Sequence, residues 1–155
     1  MLRTQMLRPT IVVSAALALF AAVSAYAAEP RLVKLKGSDA MQYDVKKIEA
    51  KPGEAITVQL STTSAMSKQE MAHNFTLLAK GAPIDAFVME AAMARSTDYI
   101  PASKKNLILA NTKMAGGGET VEVTFNAPKE PGEYTYLCTF PGHYLAGMKG
   151  VLVVK

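Results

Sequence analysis

Cysteine and histidine are scarce in this sequence: its 155 residues include one cysteine, Cys138, and two histidines, His73 and His143. A single cysteine excludes any disulfide within the chain, so stability must come from packing or from a bound group. Excess charge is also small, because the formal net charge is only +4. Such a weak basic excess gives no indication of a nucleic acid or an anionic membrane as partner.

Long apolar runs are lacking too. The apolar segment near the N-terminus, residues 11–23, is shorter than the about 20 residues that a membrane-spanning helix needs. Two arginines precede it, and an Ala-Tyr-Ala tripeptide ending at Ala27 follows it. This order is typical of a secretory signal peptide. We therefore predict a signal over residues 1–27 and one domain over residues 28–155, exported to a bacterial periplasm. An uncleaved anchor is the alternative, and only that case predicts membrane association.

Short strand-like runs dominate the rest of the chain. Partial period-two alternation or short apolar stretches occur at residues 32–35, 43–48, 56–60, 75–78, 107–109, 121–125, 134–137 and 151–154. Turn-forming Gly and Pro residues separate several of them, such as Pro52-Gly53 and Pro131-Gly132. Eight short strands in a domain of this size predict an all-β fold, a β-sandwich.

One segment has a different period. Residues 83–95 place Ile84, Phe87, Val88 and Ala91 at helical spacing. We predict a single amphipathic helix inserted between strands, with its apolar stripe on the sandwich and no chemistry of its own.

The scarce residues are concentrated near the C-terminus. Cys138, His143 and Met148 lie within eleven residues, and His73 is far upstream. A thiolate, two imidazoles and a thioether are a suitable ligand set for copper that cycles between Cu(I) and Cu(II). One loop would supply three ligands, and His73 would come from a distant strand. We therefore predict one copper ion per chain.

Two other readings of these residues are weaker. A Cys–His nucleophilic pair needs a third group to orient the histidine, and neither Asp nor Asn stands near His143 in the sequence. A structural zinc site prefers four Cys or His ligands, and Met148 is a poor zinc ligand. Copper is the metal that this donor set favours.

The chain resembles the cupredoxins of the azurin type, including the related auracyanins. The motifs that carry the resemblance are Met71-Ala72-His73-Asn74-Phe75, the helical insertion, the Gly-rich turn before Val121, Cys138-Thr139-Phe140-Pro141-Gly142-His143 and Met148-Lys149-Gly150. The resemblance covers most of residues 28–155. It implies an eight-stranded Greek-key β-sandwich with a helical flap, and one-electron transfer between larger redox partners as the activity.

The resemblance also implies a role for each residue of the site. His73, Cys138 and His143 are the expected equatorial ligands of a type 1 copper, with Met148 as the long axial ligand. The carbonyl of Ala72 could approach the metal from the opposite side, where azurins have a glycine carbonyl.

Three further residues are expected around these ligands. Asn74 should brace the ligand loop through Thr139. The backbone N–H groups of Asn74 and Phe140 should point at the Cys138 sulfur and raise the reduction potential.

The sequence departs from the azurin pattern in two places. Four residues, Tyr144 to Gly147, separate His143 from Met148, where azurins have three. Azurins also carry a disulfide remote from the copper, which a single cysteine excludes here. The longer loop matches auracyanin-like proteins better.

The loop around His143 is free of charged residues. We expect a flat apolar docking patch formed by Met71, Pro141, Leu145 and Ala146, with one edge of His143 reaching the surface. The expected partners are redox proteins such as c-type cytochromes or copper- and haem-containing reductases and oxidases.

We therefore predict an electron carrier and not an enzyme. An exported copper carrier that delivers the metal to another protein is the alternative. A copper oxidoreductase is less favoured, because no histidine remains for a second metal.

Overall fold

The computed structural model describes residues 29–155, so the predicted signal over residues 1–27 lies outside the described part. The first of its two sheets contains, in spatial order, β2 (Gln42–Tyr43), β1 (Arg31–Ser38), β4 (Ala55–Thr62) and β7 (Thr120–Asn126). The second contains β3 (Lys47–Ala50), β9 (Lys149–Val154), β8 (Gly132–Leu137), β5 (Thr76–Leu78) and β6 (Ile108–Asn111). The pairs β1–β4 and β3–β9 are parallel, and the other pairs are antiparallel.

The two sheets face each other across one core. The side chains of β4 alternate along the strand, and Ile56, Val58 and Leu60 are fully buried. They belong to the same cluster as Leu77 and Leu152 of the second sheet. Because inward residues of both sheets meet in one apolar layer, the fold is a β-sandwich, as the sequence predicts.

Residues 29–155 contain nine strands where the sequence predicts eight, because the predicted run 43–48 is divided. Its start pairs with β1, with Tyr43 opposite Gly37. Its end forms β3 and pairs with β9, with Ile48 opposite Leu152. The chain therefore crosses from one sheet to the other between Tyr43 and Lys47. Both ends remain apolar and buried, so the sequence pattern did not reveal the crossing.

The predicted helix is confirmed as α1 (Ile84–Met93). Phe87 and Ala91 are buried and pack with Leu78 of β5 and Leu137 of β8, while Ile84 and Val88 flank them half-buried. This apolar stripe holds the helix on the second sheet.

Short 3-10 helices at Arg95–Thr97 and Ala102–Leu107 lead from α1 to β6. Within residues 29–155, no helix is both long enough and apolar enough to cross a membrane.

One glycine in β9 is required by packing. Gly150 lies opposite Tyr136 of β8, and a Cβ atom on it would stand 2.2 Å from Cζ of the Tyr136 ring. That ring packs on Phe75 with centroids 5.1 Å apart, and its hydroxyl donates to the carbonyl of Val45 over 2.8 Å. The ring therefore has little freedom to move aside.

We expect Gly150→Ala to lower the free energy of unfolding by about 1–3 kcal/mol, because the added methyl overpacks the core against a fixed ring. Urea denaturation of the metal-free protein measures this change. Lys47→Ala, an exposed substitution on the neighbouring β3, should change it by about 0.5 kcal/mol or less. Equal effects of the two substitutions would contradict the packing argument.

Candidate metal centre

His73 is held by the backbone at one end of the sandwich. It forms an isolated bridge with Ala115: the His73 N–H donates to the Ala115 carbonyl over 2.9 Å, and the Ala115 N–H donates back over 2.8 Å. The residue is fully buried. The position of its backbone is therefore set before any metal binds.

The other candidate ligands come from one closed loop between β8 and β9. The N–H of Cys138 donates to the carbonyl of Met148 over 3.1 Å, and the N–H of Met148 donates to the carbonyl of His143 over 2.9 Å. Gly142 and Gly147 turn the chain with φ values of 82° and 99°, which glycine adopts without strain. The loop thus returns Met148 to the point from which Cys138 departs.

Three donor atoms converge inside the protein. The two imidazole Nδ1 atoms of His73 and His143 are 3.2 Å apart, and Sγ of Cys138 is 3.5 Å from Nδ1 of His143. All three donor atoms lie within 4.8 Å of one another. Two nitrogens bound about 2 Å from one ion lie about 3.3–3.5 Å apart at tetrahedral to trigonal angles. The spacing of this soft and borderline donor set therefore fits a single copper ion.

The predicted axial residues are also at the site. Met148 is fully buried, and its backbone is bonded to both Cys138 and His143, as described above. The carbonyl oxygen of Ala72 lies 3.9 Å from Sγ of Cys138. The structure thus brings all five predicted ligand residues to one end of the sandwich.

Burial keeps the donor groups neutral. It raises the pKa of the Cys138 thiol to about 12, although the backbone N–H groups of Asn74 and Phe140 partly oppose that shift. Burial, followed by the charge of His73, lowers the pKa of His143 to about 4. Burial also lowers the pKa of His73. At neutral pH both imidazoles are therefore free bases, and a metal must displace the proton of Cys138.

Asn74 joins the two segments that carry the donors. Its Nδ2 donates to the hydroxyl of Thr139 over 2.8 Å, and the Thr139 N–H donates to its Oδ1 over 2.9 Å. Both residues are buried. The carbonyl of Asn74 in turn accepts a hydrogen bond from the hydroxyl of Tyr43. The contact expected between Asn74 and Thr139 is thus present in both directions.

Most of the predicted docking patch is at the surface. Leu145 is 82% exposed, Pro141 and Ala146 are exposed, and Met71 is half-buried. One expectation was wrong: His143 is only 1% exposed, so its ring does not offer an open edge. The Phe140 ring packs on it with centroids 4.7 Å apart, which explains the cover.

Charged residues surround the patch, although the loop around His143 itself contains none. Nζ of Lys149 stands 4.6 Å from the centre of the Tyr144 ring. Nζ of Lys46 donates to the carbonyl of Gly147 over 3.2 Å. Asp85 of α1 lines a groove beside Gly142 and Leu145.

Sequence reasoning missed two residues that support the loop. Nε2 of Gln42 donates to the carbonyl of Ala146 over 2.7 Å, and its Oε1 accepts from Nζ of Lys46. These residues are about a hundred positions from the loop in sequence, and no pattern connects them. A third residue that sequence reasoning missed is Gly37 of β1, where an added Cβ would stand 2.7 Å from Cδ2 of His73. A glycine within a strand often marks a close approach by another group, but the predicted strand ended at residue 35.

The imidazole pKa values make the metal-free protein sensitive to acid. We expect its free energy of unfolding to fall by about 2 kcal/mol between about pH 6.5 and pH 4. In the unfolded chain His143 takes up a proton near pH 6.5, whereas in the folded protein it stays neutral down to about 4. Protonation therefore favours the unfolded chain. Urea denaturation across this range, with His143→Asn as the control that lacks the titrating ring, measures the effect. The same slope in both proteins would contradict the assignment.

The comparisons with known proteins agree with this geometry. A family model described as copper binding proteins, plastocyanin/azurin family, matches residues 31–155. The chain is 37% identical over 122 residues to auracyanin-A of Chloroflexus aurantiacus, covering 77% of this chain and 70% of that protein. It is 41% identical over 124 residues to azurin-1 of Alcaligenes xylosoxydans xylosoxydans, covering 77% and 94%.

Solved structures show the same relation. The auracyanin of Roseiflexus castenholzii superposes with a TM-score of 0.69 at 35% identity, covering 83% of this chain and 99% of that one. Auracyanin A of Chloroflexus aurantiacus superposes with a TM-score of 0.71 at 33% identity, covering 82% and 100%. The Greek-key sandwich and the copper cofactor implied by the resemblance are thereby confirmed. The chain belongs to the plastocyanin/azurin family of copper-binding proteins.

Proposed function

We propose that this protein is an exported electron carrier in which His73, Cys138 and His143 are the three strong ligands of one type 1 copper. Met148 is the weaker axial ligand, and the Ala72 carbonyl is a possible fifth contact. One observation carries the proposal: Nδ1 of His143 lies 3.2 Å from Nδ1 of His73 and 3.5 Å from Sγ of Cys138, and all three buried donor atoms lie within 4.8 Å of one another. Copper, when bound to such a set, supplies a centre that gains and loses one electron.

The protein surroundings favour repeated electron transfer at this centre. His73 is fixed by its two backbone hydrogen bonds with Ala115, and the loop is fixed by Asn74 and Gln42. A rigid ligand set cannot follow the preferred geometry of each oxidation state, so little rearrangement accompanies the change of charge. The N–H groups of Asn74 and Phe140 draw charge from the Cys138 sulfur.

Burial of the donors argues against the two other functions. Cys138 is fully buried and His143 is 1% exposed, which leaves a substrate no direct approach to these atoms. A copper carrier must surrender its ion to a partner, and that exchange is easiest when a ligand is accessible. The relatives support electron transfer as well, since auracyanin A is described as a blue copper protein.

The exposed apolar loop is our proposed contact surface for the redox partners. Leu145 projects from it with 82% of its surface exposed, beside Pro141 and Ala146. Beneath this surface, the packed rings of Phe140 and His143 lead to the donor atoms. A small apolar patch suits fast and weak association with a c-type cytochrome or with a copper- or haem-containing reductase or oxidase. Cleavage after Ala27 would place this protein in the periplasm.

Cys138→Ser tests the metal assignment directly. Residues 28–155 loaded with Cu(II) should show an intense blue absorption band and a compressed copper hyperfine splitting in the EPR spectrum, both arising from the thiolate. The variant should lose the band entirely, because a serine hydroxyl is a poor copper ligand. Leu32→Glu, an exposed substitution on β1, should keep it. A pale spectrum from the unsubstituted protein would contradict the proposal and favour the carrier.

Leu145→Glu tests the docking surface. A carboxylate at the centre of the apolar patch should slow electron self-exchange and the reaction with an oxidised c-type cytochrome by about tenfold. Copper affinity should be unchanged, because the side chain points to solvent. Leu32→Glu is the matched control. Leu32 is 49% exposed and lies near the start of β1, whereas Gly37, the β1 residue beside the His73 ring, lies near the end of that strand. Equal rates for the two variants would remove the patch from the mechanism.

A further inference from the structure

Gly37 of β1 lies directly against the metal ligands. A Cβ atom built on it would stand 2.7 Å from Cδ2 and 2.9 Å from Cγ of the His73 ring, and 3.0 Å from the methyl carbon of Met148. Carbon atoms at ordinary contact are about 3.5–4.0 Å apart. Residue 37 therefore has no room for a side chain while both ligands occupy their places.

The backbone does not explain this glycine. Gly37 is absent from the glycines with positive φ in the described residues, so its conformation is open to any amino acid. It lies inside a regular strand, paired with Tyr43 on one side and Thr62 on the other. In such a position glycine packs less surface and loses more backbone entropy than other residues. Space for the ligands is the remaining reason for its presence.

The strand also has little freedom to retreat from the site. The carbonyl of Gly37 accepts hydrogen bonds from the N–H of Thr63 over 3.0 Å and from the hydroxyl of Thr63 over 3.2 Å. Ladder pairs on both edges hold the same residue. A methyl group added here would therefore be accommodated by movement of the ligands and not of β1.

We propose that Gly37 is a positioning residue for the copper site, acting as a flat wall that sets the place of the His73 imidazole. The inference rests on His73 being a copper ligand, as proposed above. Two of the three closest atoms belong to its ring, which is a rigid group. The third is the methyl end of Met148, which is flexible and can yield.

The metal-free and metal-bound proteins should respond differently to an added methyl group. The hydrogen bonds to Ala115 fix only the backbone of His73, so without metal we expect its side chain to shift away from the Cβ of an alanine at position 37. Bound copper would hold the Nδ1 atom of His73 close to the donor atoms of the other ligands, so the ring could no longer turn freely. The overpacking then appears as lost copper affinity, and the stability of the metal-free protein changes little.

The first experiment compares Gly37→Ala with the unsubstituted protein and with Gly150→Ala. We expect Gly37→Ala to weaken Cu(II) binding by about ten- to a hundredfold, the range given by overpacking with one methyl group. Its EPR hyperfine splitting should also change. Gly150→Ala should show the opposite pattern, with unchanged affinity and a less stable metal-free protein, because its methyl meets Tyr136 and no ligand. Equal copper affinities for all three proteins would overturn the proposal.

The same substitution is also made in a Met148→Ala variant, to control for misfolding and to identify which ligand moves. Met148→Ala removes one of the two contacts and gives the new methyl group space. The loss of copper affinity caused by Gly37→Ala should persist there if the His73 ring is the group displaced. Its disappearance would overturn the assignment to His73.

The unsubstituted protein separates failure of this inference from failure of the proposed function. An intense thiolate band in the unsubstituted protein, with no effect of Gly37→Ala, would refute the positioning role alone. No such band in the unsubstituted protein would refute the copper ligand set, and the positioning role with it.

Discussion

The pair of hydrogen bonds between Asn74 and Thr139 is the link on which the site depends. One partner follows His73 in the chain, and the other follows Cys138. No disulfide is available to join these segments, because Cys138 is the chain's only cysteine. A buried pair of donors and acceptors in a low-dielectric interior is strong and directional, and losing one partner leaves the other unsatisfied. The two halves of the site are thus held in register by the protein, and a metal ion adds a further crosslink between the same two segments.

The same burial has two consequences that favour one function. It keeps both imidazoles neutral and the thiol protonated, so the buried site offers nitrogen lone pairs at neutral pH. It also places His143 behind the ring of Phe140, an arrangement that suits the proposed transfer of electrons without contact between a partner and the donor atoms. A surface that is apolar at its centre and charged at its rim covers this end of the molecule. Under the proposed function, a redox partner would bind this surface briefly and its atoms would not reach the metal.

Sequence reasoning could identify the site because its chemistry is concentrated in rare residues. Cys138, His143 and Met148 are close in the chain, and His73 is the only other histidine. Period-two alternation likewise predicted the sandwich, and helical spacing predicted α1. The crossing between β2 and β3 was missed because buried apolar residues on two sheets give the same pattern as one strand. The prediction that an edge of His143 is exposed was also wrong. The Phe140 ring covers His143, and the spacing of residues in the sequence does not reveal how two side chains pack. Gln42 and Lys46 were invisible because their contacts join residues about a hundred positions apart.

The hydrogen bond from Gln42 to the carbonyl of Ala146 joins the first residue of the short edge strand β2 to the ligand loop. A loop with one residue fewer, as in azurins, would withdraw that carbonyl and leave the amide of Gln42 without this acceptor. A Cβ at Gly147 would also stand 2.9 Å from Nε2 of the same side chain. Loop length, the glycine before Met148 and the identity of residue 42 therefore depend on one another. A ligand loop transferred from a relative would therefore pack correctly on this protein only if the relative's residue at position 42 were transferred as well.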